Sequence, residues 1–273
     1  MTTVDQAARW NGRSGRGWAD SQEVLEELFR PFEKVLVEGL PLGSVLDVGC
    51  GTGATTAAIA RTPGRRAVGV DIAAPMIAAA RERETGGLSF IEADAQVYAF
   101  EPASFDAVVS RFGVMFFPDP VRAFANLRRA CKPLAVVRLV VWRAIEDNPF
   151  MTTAERAAGP LLPELPPRRP DGPGQFGLAD PGLVRSVLSG SGWSDVALEP
   201  LDVELTMPES ELTGYLTRLG PVGQVLPDVP EPRRSRIVET VRAAFDPFIS
   251  GTDVRFTAAC WLITARNTVT GTT

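Results

Sequence analysis

The chain is 273 residues long, 45% hydrophobic and 22% charged, enough to bury the core of one large domain or of one domain with an appended lid. Its 28 Lys and Arg are outnumbered by 33 Asp and Glu, a net charge of −5, which argues against a nucleic-acid partner because that affinity rests mainly on basic side chains neutralising phosphates. The Met1-Thr-Thr-Val-Asp start has neither a basic nor an apolar leader region, and no run of 18 apolar residues occurs, so no membrane partner and a cytoplasmic location are expected.

Residues 9 to 18 place a glycine-rich link between Trp10 and Trp18, ahead of a helix with Leu25, Leu28, Phe29 and Phe32 on one face. That face is expected on the core; the tryptophans either join it or, as Trp18 is placed to do, cover a ligand. Val45-Leu46-Asp47-Val48 then reads as a buried parallel strand, and Gly49, Gly51 and Gly53, with Cys50 between them, let the backbone turn tightly and approach a ligand. Such a turn also serves NAD, and Gly49, Gly51 and Ala54 satisfy the loose dinucleotide pattern. Asp47 argues against it: a carboxylate about 4 Å from a pyrophosphate charge, at an effective dielectric near 20, is repelled by roughly 4 kcal/mol. A cationic ligand without phosphate gains instead, and S-adenosylmethionine, with its ammonium and sulfonium, is one. Asp47-Val48-Gly49-Cys50-Gly51-Thr52-Gly53 resembles the first cofactor motif of the class I S-adenosylmethionine-dependent methyltransferases.

Each later strand end can be set against that resemblance. Val68-Gly69-Val70-Asp71 is a second strand ending in an acid eighteen residues after Gly53, where a carboxylate can accept both ribose hydroxyls. The resemblance implies that Ile72 packs on the adenine, and Met76 follows it as a further candidate contact. Leu88 to Ile91 is a third strand, and Asp94, followed by Ala95, matches the acid that accepts the adenine amine. Phe105 to Ser110 is a fourth, and Ser110-Arg111-Phe112 matches the segment lining the methionine moiety. Taken singly, Asp71 and Asp94 also read as helix caps or turn residues, and Ile72 and Met76 as core.

Pro120 to Ala130 reads as a helix and Ala135 to Trp142 as a fifth strand, entered through Pro133-Leu134-Ala135 where the family has Pro-Gly-Gly. Seven prolines, at 149, 160, 163, 166, 167, 170 and 173, predict a shaped loop over 143 to 178. Asp180 to Ser189 is a capped helix and Trp193 to Met207 a sixth strand. The stretch 208 to 251 carries one helix with Leu212, Tyr215, Leu216 and Leu219 and another with Ile237, Val241, Phe245 and Phe248; Val254 to Thr264 is a seventh strand. The fold class expected is α/β, a Rossmann-like seven-stranded, mostly parallel sheet with helices on both faces and helical lid insertions. An N-terminal extension covers 1–40, the cofactor-binding core 41–207 and 252–273, and the insertions 144–178 and 208–251 cap the substrate, unless their helices only pad the core.

Arg111-Phe112-Gly113-Val114-Met115-Phe116-Phe117, Val140-Val141-Trp142-Arg143 and Asn148-Pro149-Phe150 resemble the methyltransferases grouped with the ubiquinone and menaquinone C-methylating enzymes, well over residues 40 to 150 and weakly beyond. This implies methyl transfer to a small-molecule acceptor, not a particular acceptor. In-line displacement needs no metal, and with no His in the chain any base is a carboxylate, a Tyr or a pre-ionised acceptor. Glu146 and Asp147 are nearest by position, although both also read as solvated loop acids. Cys50, Cys131 and Cys260 read as packed thiols of a reducing compartment, not as disulfides or a metal site. Two other functions remain open, a cofactor-binding protein without methyl transfer and, last, an NAD-linked reductase; a homodimer also stays open.

Overall fold

A computed structural model describes residues 2–165 and 172–268. Its strands are β1 Gly43–Val48, β2 Arg65–Asp71, β3 Leu88–Glu92, β4 Phe105–Arg111, β5 Cys131–Trp142, β6 Ser194–Pro208, the two-residue β7 Ile249–Ser250, and β8 Asp253–Arg266. They form one sheet in the order β3-β2-β1-β4-β5-β8-β6, with β7 paired to β8. The first five named in that order run parallel, and β8 is antiparallel to both of its long neighbours. The expected seven strands are present; the eighth, β7, is a short return at the end of the second insertion.

The helices are α1 Thr3–Asn11, α2 Arg13–Ala19, α3 Gln22–Val37, α4 Ala54–Ala60, α5 Ala74–Arg81, α6 Pro120–Ala130, α7 Phe150–Ala158, α8 Pro181–Gly190, α9 Glu209–Arg218, α10 Gly220–Val225 and α11 Arg233–Ala243. Alternate residues of the central strands feed two apolar clusters on opposite faces. Val45, Ala107 and Val109 pack with Ile59 of α4 and Ile77 of α5; Leu46, Val48 and Val108 pack with Leu28, Phe32 and Leu36 of α3 and with Phe124 and Leu127 of α6. The central strands are therefore buried on both sides, and ligands of such a sheet bind at the carboxyl ends of its strands.

Three expectations need correction. The glycine-rich link between the tryptophans is helical, as α1 and α2, because its glycines are needed for space: a Cβ on Gly15 would lie 1.7 Å from the Trp10 carbonyl oxygen, and one on Gly17 2.6 Å from that of Arg218. The proline-rich stretch holds the helix α7, bounded by Pro149 and Pro160 rather than broken by them; Pro166, Pro167 and Pro170, like Arg168 and Arg169, lie outside the described residues. Helix α11 ends at Ala243, so Phe245 and Phe248 sit in the turn that follows it. At the departure from Pro-Gly-Gly, Leu134 takes a left-handed φ of +66° while its N–H donates to the Asn267 carbonyl oxygen at 2.8 Å. The strand thus begins before this point, and an irregularity within β5 keeps the conformation glycine would favour and carries the strain in a leucine.

Candidate active site

The first glycine turn and the turn after β4 close on each other at the carboxyl edge. Gly49 has φ +68°, and a Cβ there would stand 2.5 Å from the Gly113 Cα; one on Gly113 would stand 2.5 Å from the Val48 carbonyl oxygen. No side chain fits between them. Ser110, fully buried, fastens the pair: its hydroxyl donates to the Val48 carbonyl oxygen at 2.7 Å and accepts the Gly113 N–H at 3.1 Å. Phe112, at φ +64°, is held in this unfavourable conformation by stacking on Trp142, with ring centroids 4.2 Å apart and planes within 4°.

Asp71 ends β2 against the same turn. One carboxylate oxygen accepts the Gly51 N–H and the other the Ala73 N–H, both at 2.9 Å. Burial raises its pKa, against the pull of these backbone donors. Each oxygen keeps a further lone pair. Asp94, past β3, accepts the Gln96 N–H on Oδ1 at 2.9 Å, and its Oδ2 is buried without a partner. Arg111, at the end of β4, sits 5.5 Å over the Phe29 ring and donates to the Phe29 carbonyl oxygen at 3.3 Å; burial lowers its pKa, opposed by the charges of Asp47, Glu33 and Glu26.

Asp47 does not face this space. It is buried beneath the turn, where it accepts the Thr56 hydroxyl at 2.7 Å, and burial pushes its pKa up to about 6. The Cys50 side chain is also buried, its thiol pushed well up by burial and then by the neighbouring carboxylates, so only its backbone belongs to the turn. A Cβ on Gly53 would meet the Phe90 ring at 2.6 Å; that glycine serves packing.

A cavity of about 1560 Å³ opens at these strand ends, larger than the roughly 300–1,000 Å³ of an ordinary one-ligand pocket. Of the expected cofactor residues, Gly49, Gly51, Asp71, Ile72, Met76, Asp94, Ala95, Arg111, Phe112 and Trp18 line it; Asp47, Cys50, Gly53 and Ser110 stand behind the wall. Glu146 lines it and Asp147 does not: the Asp147 carboxylate is held at 3.2 Å by Arg143. Glu155 and Tyr215, on α7 and α9, also reach the wall. The sequence offered no sign of them beyond helical spacing.

The far wall is built by both insertions and the N-terminal helices. The fully buried Asn148 pins the start of the first insertion to β8, donating to the Ala259 carbonyl oxygen at 3.0 Å and accepting its N–H at 2.9 Å, and the Trp261 indole N–H pins its end by donating to the Ala179 carbonyl oxygen at 2.9 Å. Asn11 ties α1 to the loop after Asp71: its amide donates to the Ile72 carbonyl oxygen at 3.1 Å, and its carbonyl accepts the Ala74 N–H at 2.8 Å. Arg13 pairs with both oxygens of Asp228, the second contact at 2.8 Å, and donates to the Gln224 carbonyl oxygen at 3.0 Å. The N-terminal segment thus bridges the cofactor edge and the second insertion. Trp10 packs edge-on against Trp18 and Phe116, and Trp18 stacks on Phe29, so the tryptophans both line the cavity and join the aromatic core.

A family model described as a methyltransferase domain matches residues 46–139. Nocamycin O-methyltransferase of Saccharothrix syringae is 32% identical over 212 residues, 69% of this chain and 74% of that one. Demethylmenaquinone methyltransferase of Thermus thermophilus is 41% identical over 93 residues, 33% of this chain and 42% of that one. The chain spans about half the length, 55%, of uncharacterised mycobacterial proteins to which it is 32% identical. Among solved structures, Haemonchus contortus phosphoethanolamine N-methyltransferase 2, in complex with phosphomonomethylethanolamine and S-adenosylhomocysteine, superposes with a TM-score of 0.52 at 20% identity, covering 96% of this chain and 56% of that one, and shares the fold.

Proposed function

The chain belongs to the S-adenosylmethionine-dependent methyltransferases, and on that premise we propose that it transfers a methyl group to a small, largely apolar acceptor enclosed by its two insertions. The residues present suit the cofactor. Asp71 can add ribose hydroxyls to the backbone donors it already accepts, and the unpartnered Asp94 Oδ2 is a buried acceptor for an exocyclic amine. Ile72 and Met76 offer apolar contact beside them, and the open backbone at Gly51, where an added Cβ would meet nothing nearer than the Met76 sulfur at 3.6 Å, admits the methionine portion on the side of Arg111. When bound, S-adenosylmethionine supplies an electrophilic methyl carbon on a sulfonium.

The chain contributes position and shelter. The rigid closure of Gly49 on Gly113 fixes one side of the reaction space, and the Phe112–Trp142 stack backs it. Holding two reactants in line accounts for much of the barrier lowering in such a displacement, and the aromatic cover from Trp10, Trp18 and Phe116 keeps water away. Glu146, Glu155 and Tyr215, with Asp5 and Asp180, are wall groups of the kind that can take a proton from an oxygen, nitrogen or carbon acceptor.

The observation that carries this reading is the cavity itself, which at about 1560 Å³ runs from the Asp71 and Asp94 edge to residues of both insertions and is larger than one cofactor needs. Calorimetric titration tests it. S-adenosylhomocysteine should bind once per chain and NAD should not; NAD binding without S-adenosylhomocysteine binding would reverse the assignment.

A further inference from the structure

Among the described residues, the buried side-chain nitrogens and oxygens that find no partner belong to Gln6, Ser21, Thr55, Arg83, Asp94 and Arg128. Of these residues, Gln6 and Asp94 stand on the cavity wall. Gln6 is the more unusual, because it is only 3% exposed and both ends of its carboxamide, Nε2 and Oε1, are unsatisfied. A buried donor and acceptor left unmade each cost their desolvation, and a leucine or methionine on α1 would avoid that cost. A polar ligand would offset it.

The placement of Gln6 narrows the ligand. Gln6 and Trp10 lie one turn apart on the same face of α1, and the Trp10 ring packs at 5.1 Å from Phe116 and 6.3 Å from Trp18. Gln6 therefore belongs to the stretch of cavity wall that Trp10, Trp18 and Phe116 line, on a helix fixed at its far end by Asn11. In the proposed site Asp71 and Asp94 answer the ribose hydroxyls and the adenine amine and Arg111 stands by the methionine portion, which leaves the Gln6 carboxamide to the second ligand of the cavity.

We propose that Gln6 is the specificity-determining residue for the acceptor, and that this acceptor is planar and mainly apolar with a hydrogen-bond donor directly beside a carbonyl on its rim, as in a cis-lactam. A carboxamide pairs with such an edge through two parallel bonds, Nε2–H donating to the carbonyl and Oε1 accepting the N–H. An analogue without the donor leaves Oε1 buried and unpaired, which is how a polar site rejects a close relative. This inference rests on the proposed methyl transfer to a small molecule.

The test uses 4-hydroxy-2-quinolone and its N-methyl analogue as probes, titrated into the full chain saturated with S-adenosylhomocysteine. The wild type should prefer the free lactam by about tenfold or more, the scale of one lost hydrogen bond, and Gln6→Met should abolish that preference. The S-adenosylhomocysteine affinity of Gln6→Met should stay within about threefold of wild type, and the ligand-free variant should melt no lower, since an unsatisfied amide has been removed. No preference in the wild type, or a preference retained in Gln6→Met, overturns the inference. So does a variant that loses S-adenosylhomocysteine affinity, which would assign the carboxamide to the cofactor, or one that melts markedly lower with unchanged affinities, which would make it scaffold. A wild type that fails to bind S-adenosylhomocysteine at all would instead defeat the methyltransferase reading.

Discussion

Replacing Asp47 with Asn separates a structural carboxylate from a ligand-binding one. In the folded chain burial moves this carboxyl from its ordinary 3.8 to about 6, whereas the unfolded chain titrates near 3.9. Between those values the native state holds a proton that the unfolded state has released, so stability falls as pH rises through the window and stays low above it. At about 1.4 kcal/mol per pH unit the full loss is about 3 kcal/mol, of which about 2 kcal/mol falls between pH 4.5 and 7.5. Asp47→Asn removes this contribution while its side-chain carbonyl can still accept the Thr56 hydroxyl. Urea unfolding at the two pH values should show the wild type losing about 2 kcal/mol more than the variant over that interval, with S-adenosylhomocysteine affinity nearly unchanged because Asp47 does not reach the cavity. Equal pH dependence in both proteins, together with a large loss of affinity in the variant, would return Asp47 to the ligand.

Asp94→Ala should weaken S-adenosylhomocysteine binding by about 1.5–3 kcal/mol, the scale for a bond to a charged group; unchanged calorimetric affinity would remove Asp94 from the cofactor site. Gly113→Ala should cost about 1–3 kcal/mol or more in urea unfolding, because the added Cβ meets backbone on two sides, and wild-type stability would show that the turns are not in contact. Leu134→Gly should leave stability equal or raise it by up to about 1 kcal/mol despite deleting a large side chain, since that side chain is 67% exposed and its left-handed backbone is relieved; a clear destabilisation would mean that the leucine packs. Deleting residues 1–18 should leave a cooperatively melting core with much reduced turnover, measured as S-adenosylhomocysteine release, and full turnover would make the N-terminal helices dispensable.

The strand ends were legible because a parallel strand buried on both faces must be continuously apolar, so an acid that follows one, such as Asp71 or Asp94, stands out. Both reach the cavity. The turn glycines were legible as a group but not individually: Gly49 answers to Gly113, 64 residues away in sequence, whereas Gly53 answers to Phe90. Asp47 misled for the same reason, since nothing local reveals that the Thr56 hydroxyl waits beneath it. The polar clamps were hidden because their partners are distant, 61 residues for Asn11 with Ile72 and 111 for Asn148 with Ala259. The prolines pointed to a loop where Pro149 and Pro160 bound a helix, a position proline tolerates at a helix start. Gln6 was invisible as a site residue, because only its burial without partners marks it.

A cavity that passes a methyl group to a small apolar molecule must leave that methyl in such a molecule. The most direct test is incubation of the protein with S-adenosylmethionine carrying a 13C-labelled methyl and a whole-cell extract, followed by separation into small-molecule, protein and nucleic-acid fractions and mass spectrometry of each. S-adenosylhomocysteine should accumulate and the label should appear in an organic-soluble small molecule, with none of this for Asp94→Ala at low cofactor. Label confined to protein or nucleic acid, or cofactor that binds and is never consumed, would contradict that transfer.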